Sequence, residues 1–159
     1  MIRELYNGYS EEKIEKILKD PFFDETIAAT ISLADSYMIT EPGRIKYSSL
    51  HLFVLTGDRS NYEREYGQYY KRLDVLFCAY MLTKDEKYIS PLVDVIWNIC
   101  DLLTWSLPAH IKEDYSLSRL REFLDLVSCN NAARLAEIYA AIGDKFPELV
   151  TRQIGRAHV

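Results

Sequence analysis

The side chains best placed to do chemistry sit in one irregular stretch, 104–117, which holds Trp105, Pro108, His110 and Tyr115 between two long helical patterns. Loops carried by a rigid scaffold are where functional groups are presented, and an imidazole changes its proton near neutral pH. His110 is therefore a candidate binding contact. The alternative is that its ring bonds backbone groups and fixes the loop. Trp105 offers a face on which a ligand ring could stack, or an anchor packed on the helix ends, and the anchor is favoured.

Other candidates read more plainly. Arg59 and Glu63 stand four apart at a helix start, which suits an ion pair or cap. Lys112, Arg119 and Arg121 could attract an anion, but a solvated charged face is the commoner use. His51, among Leu50, Leu52 and Phe53, reads as a satisfied buried histidine, and Trp97, between Ile96 and Ile99, as core. Asp114 and Asp125 are the acidic pair a glycoside hydrolase would need, yet nothing in the sequence places them together. Cys78, Cys100 and Cys129 are too widely spaced for a zinc site and odd in number, so small buried hydrophobes are expected. With no metal-ligand cluster, nucleophile elbow or phosphate loop, neither metal nor cofactor is expected.

These residues need a scaffold, and the patterning supplies helices. Ile14, Ile17 and Leu18 follow a Ser10 cap, and Ile27, Ile31, Ala34 and Met38 repeat the spacing to Met38. Glu41-Pro42-Gly43 is a turn, and 45–55 is a short apolar segment read as helix. A long helix is predicted over 61–82, striped by Tyr62, Tyr66, Tyr69, Leu73, Leu76, Phe77 and Tyr80, with Asp58 and Ser60 as cap candidates. A second spans 86–103, apolar on most faces, and a third 118–142. A further helix opens at Phe146. The fold expected is all-α, with antiparallel helical hairpins and no linker.

The 159 residues are nearly half apolar, with 12 Tyr, and suffice for one domain with a core. The net charge of −5, without a basic stripe, argues against nucleic acid as a partner. No stretch approaches the roughly 18 apolar residues of a membrane span, and residues 1–10 have no apolar signal core, so the chain as written is expected to be cytoplasmic.

One resemblance adds to this. Gly57-Asp58-Arg59, Tyr62-Glu63, Tyr66, Arg72-Leu73, Leu76, Ala79 and Tyr88 occur in order, followed by Ile96-Trp97-Asn98-Ile99-Cys100. Trp105-Ser106-Leu107-Pro108-Ala109-His110, Asp125-Leu126 and 132–136 complete the string. Over about half the chain this resembles the N-terminal region of the heparinase II/III polysaccharide lyases. The resemblance implies a partial α/α toroid over 1–152, completed by later toroid helices and a β-sandwich domain. It also implies β-elimination at uronic acid residues of an acidic polysaccharide, which would be the chain's partner, through Asn, Tyr and His residues that lie downstream. His110 and Trp105 would then be substrate-binding, and the chain alone inactive. The final heptapeptide, 153–159, back-translates to a string similar to a common sequencing adapter, and is expected to be an artefact.

Overall fold

The computed structural model describes residues 10–111 and 123–156. Within them the chain is all-helical, with no strand. Seven α-helices follow one another: α1 (Glu11–Lys19), α2 (Asp24–Tyr37), α3 (Tyr47–Thr56), α4 (Ser60–Thr83), α5 (Ile89–Asp101), α6 (Leu126–Ile142) and α7 (Glu148–Arg156).

Local sequence sets most of these boundaries. The Ser10 hydroxyl accepts from Lys13 N at 3.2 Å and starts α1. Asp20 ends α1, and Pro21 opens the 3-10 turn Pro21–Phe23. Gly57 ends α3 with φ +76, a left-handed conformation that glycine adopts without a Cβ penalty. Lys84 takes φ +57 at the end of α4 without being glycine. The 3-10 turn Glu86–Tyr88 follows, and Pro91 lies in the first turn of α5, where its missing N–H costs little.

Helix α4 is the spine. Helices α1, α2, α3 and α5 pack on it, and α7 packs on α5. All seven residues of the expected α4 stripe, from Tyr62 to Tyr80, are buried. Full burial of such a side chain contributes about 1.5–3 kcal/mol. Helix α6 joins the same core through Leu135, Ile138 and Ile142, and reaches α4 through an Arg134–Asp74 ion pair of 3.4 Å.

Four expectations require correction. Trp97 is 38% exposed rather than core. The buried stripe of α5 runs Leu92, Val95, Ile96, Ile99, Cys100, and Trp97 stands about 100° off Ile96 around the helix. Cys78 and Cys129 are exposed, and only Cys100 is buried. His51 is half-buried and stacks on Tyr47, centroids 5.4 Å apart and 13° from parallel. The third long helix begins at Leu126 instead of 118, because 123–125 are non-helical and Asp125 caps the helix. Lys112, Asp114, Tyr115, Arg119 and Arg121 lie outside the described residues.

Candidate functional site

The loop after α5 is built by its own polar groups. Trp105 is 3% exposed, and its indole N–H donates to the Ile99 carbonyl at 2.8 Å, folding the chain back over the end of α5. The Ser106 hydroxyl is buried and donates to the Phe123 carbonyl at 2.7 Å, while Ser106 N donates to the Thr104 hydroxyl at 3.1 Å. Pro108 then opens the 3-10 turn Pro108–His110, which packs on α3.

Asp125 ties that turn to α6. One carboxylate oxygen, Oδ1, accepts from Ser128 N at 2.7 Å, and the Ser128 hydroxyl returns the bond by accepting from Asp125 N at 2.8 Å. This is a capping box, which satisfies backbone donors that the helix itself leaves free. The other oxygen, Oδ2, accepts from Leu107 N at 3.1 Å and lies 2.6 Å from His110 Nδ1. Burial alone would raise the Asp125 pKa. The bonds from Ser128 N, the His110 ring, Leu107 N and the Ser128 hydroxyl outweigh burial and hold the carboxyl below its ordinary value.

An ionised carboxylate only accepts, so His110 Nδ1 must carry the hydrogen in this contact. The imidazole is thereby fixed in one tautomer. Its Nε2 is left as the ring nitrogen with no protein partner among the described residues, on a side chain 44% exposed beside an aspartate 8% exposed. A neutral His110 presents a lone pair at Nε2, and a protonated one presents a charged donor.

Behind the loop lies a second polar layer. The Tyr66 hydroxyl donates to the Trp105 carbonyl at 2.6 Å and accepts from Asn131 Nδ2 at 2.6 Å, with the Tyr70 hydroxyl 3.1 Å away. Tyr66 and Asn131 are 4% and 3% exposed, so this triangle is sealed from water. Burial drives the Tyr66 and Tyr70 phenols far above the usual tyrosine range. Burial, aided by the Glu65 charge, pushes Tyr62 up to about 12. At neutral pH these phenols stay protonated, and those of Tyr66 and Tyr70 act as fixed hydrogen-bonding groups.

The two sequence candidates therefore fall in one loop with different surroundings. His110 reaches the surface; Trp105 lies inside and holds the loop. Arg59 and Glu63 form the expected ion pair at 3.2 Å. Asp125 emerges as the organiser of the site, a role the sequence reading did not give it, although Asp125-x-x-Ser128 is a capping signal. Tyr66 and Asn131 were missed because their contacts span 39 and 65 residues. Among the described residues, no group of three or more His, Cys, Asp and Glu could hold a metal ion. Nor is any helix long and apolar enough to cross a membrane. No family model matches the chain, and no curated protein matches it.

Proposed function

We propose that the chain is the N-terminal part of an α/α toroid in a polysaccharide lyase of the heparinase II/III type, which cleaves at uronic acid residues by β-elimination. The observation that carries the reading is the exposed His110 ring, oriented through Nδ1 by a buried carboxylate, with Nε2 unpartnered among the described residues. In support, the chain is built from helices that pack around α4, and the His110 turn joins α5 to α6.

Elimination removes the C5 proton of a uronate, a poor acid. It requires a group that hydrogen-bonds or neutralises the carboxylate, a base at C5 and an acid for the departing O4. Under this reading His110 makes one contact to the acidic sugar, Trp105 holds the loop that presents it, and downstream residues supply the remaining groups. The chain alone is then inactive. Asp125 is poorly suited to the hydrolase alternative, since its carboxylate is occupied by Ser128, Leu107 and His110.

The test uses a protein in which this chain is followed by the later toroid helices and the β-sandwich domain. Release of unsaturated uronate is followed by ultraviolet absorbance. His110→Ala should lower turnover about 5- to 150-fold, the worth of a hydrogen bond to a charged group. Full activity with only a lower melting temperature would assign His110 a purely structural role. Unsaturated product released by the 159-residue chain would refute the placement of the chemistry downstream.

A second reading has an observation of its own. A nearly wholly apolar groove of about 240 Å³ lies among α1, α2 and the end of α4, lined by Ile14, Ile17, Phe23, Ile27, Met81 and Leu82. Such a surface suits a non-catalytic helical interaction module. That reading expects no shift of the His110 ring resonances when an acidic oligosaccharide is added.

A further inference from the structure

Arg72 sits in mid-α4 with the residue 7% exposed. A guanidinium has five N–H donors, no acceptor, and keeps its charge throughout the accessible pH range. Its two Nη groups grip the chain at the end of α2. Nη1 donates to the Thr40 carbonyl and, at 3.0 Å, to the Tyr37 carbonyl, while Nη2 donates to the Thr40 hydroxyl at 3.2 Å. The cation also lies 4.4 Å from the centroid of the Tyr37 ring.

Those contacts occupy three of the five donors. The remaining two are Nε–H and one hydrogen of Nη2, which lie on the side edge of the fork. That edge is the pair of parallel donors that a carboxylate meets with both oxygens. Among the described residues no acidic side chain pairs with Arg72 and nothing bonds its Nε. Capping the end of α2 occupies three of the donors and leaves Nε without a partner among the described residues.

Arg72 lines a cavity of about 270 Å³ between the end of α2 and the start of α5, room for one small molecule rather than a polymer. Pro42, Pro91 and Val95 give it apolar walls. The exposed Glu41, Ser90, Asp94 and Asn98 bring hydrogen-bonding groups to it. Lys87 also borders it, but its ammonium is already met by Asp35 at 2.9 Å and Asp85 at 3.6 Å. Glu41 and Asp94 accept hydroxyl hydrogens and repel a second negative charge.

We propose that this cavity binds a single small hydroxylated carboxylic acid, its carboxylate on the Nε–Nη2 edge of Arg72 and its hydroxyls on the acidic and amide groups around the opening. Arg72 is six residues along α4 from Tyr66, roughly 120° away around the helix, so this site is separate from the His110 loop. It holds whether or not the chain serves a lyase.

The test is a titration of the nitrogen-labelled chain with D-glucuronate, followed at the Arg72 Nε–H resonance, with D-glucose and inorganic sulfate as controls. Glucuronate should shift that resonance saturably, with a dissociation constant on the order of 1 mM, as one bidentate pair and a few hydroxyl contacts provide. Glucose and sulfate should each bind about tenfold more weakly. Arg72→Lys keeps the charge but loses the fork, and should weaken glucuronate binding about tenfold. Ser90→Trp starts from an exposed position, blocks the cavity without touching the core, and should abolish binding while the melting curve stays unchanged. Absence of a saturable shift, equal binding of glucose or sulfate, or unaltered binding in Ser90→Trp would each overturn the proposal.

Discussion

Asp125→Asn separates the carboxylate's charge from its shape. Asparagine caps helices as well as aspartate, so its remaining oxygen can still accept from Ser128 N. The loss falls on Oδ2, which an NH2 group replaces. His110 can answer by moving its hydrogen to Nε2, leaving Nδ1 as an acceptor. Leu107 N, 3.1 Å from Oδ2, has no second form and faces a donor. A part-buried N–H left unpaired costs about 1–2 kcal/mol, and loss of the charge-assisted contact to His110 adds about 1. The expected destabilisation is about 2–3 kcal/mol at pH 7. For a chain of this size that lowers Tm by roughly 4–12 °C, and Ser128→Ala, which loses only the reciprocal cap, should cost about 0.5–1 kcal/mol. Urea unfolding followed by circular dichroism measures both. The pH dependence is the sharper check. A carboxyl whose folded pKa is depressed stabilises the fold above its unfolded value of about 3.9. That contribution disappears as pH falls through the lower folded pKa. The gap between wild type and Asp125→Asn should therefore be full near neutrality and shrink below about pH 4. An equal Tm for the two proteins at pH 7, or a gap that does not change with pH, would refute the reasoning.

Three further outcomes are expected. Tyr66→Phe removes the hydroxyl between the Trp105 carbonyl and the buried Asn131 amide, and should cost about 2–4 kcal/mol in urea unfolding by stranding both groups. Gly143→Ala would place a Cβ 2.5 Å from Tyr139 Cδ2, so it should destabilise by about 1–3 kcal/mol despite the helical backbone there. The apolar groove should bind a hydrophobic dye, and Ile17→Glu should remove most of that fluorescence without altering helix content; unchanged fluorescence would mean the dye binds elsewhere.

Helices were legible wherever apolar spacing and caps agreed. The α4 stripe needed only a 3.6-residue period, and Ser10 with Pro21 bounded α1 in plain view. The same rule misled at 123–125, where Phe123, Leu124 and Val127 continue a helical spacing through residues that are not helical. The capping pair Asp125 and Ser128 sets the start of α6 there, and Leu124 stands 73% exposed. Trp97 misled for a related reason: a large ring among apolar neighbours suggests burial, while its angular position around α5 decides otherwise. Of the site, the sequence marked His110 and Trp105 but not what holds them. The Tyr66–Trp105 and Tyr66–Asn131 bonds join distant segments, and no local pattern encodes such a pairing. The same limit hid the donors of Arg72, whose acceptors lie more than thirty residues earlier in the chain.

The start of α3 depends on a residue that comes after it. Lys46 offers no side-chain cap, and the first turn is instead held by Glu65 of α4, whose carboxylate accepts from Lys46 N at 2.9 Å and from the Ser49 hydroxyl at 2.9 Å. A free helix end leaves several backbone donors open to water, and a ten-residue helix is marginal on its own. The first turn of α3 is therefore completed by α4 rather than by its own sequence. During synthesis the segment 47–56 leaves the ribosome ahead of Glu65, the side chain that caps it. The Pro108–His110 turn itself packs on α3, so the exposed imidazole rests on α3 and on Asp125 as well as on its own loop.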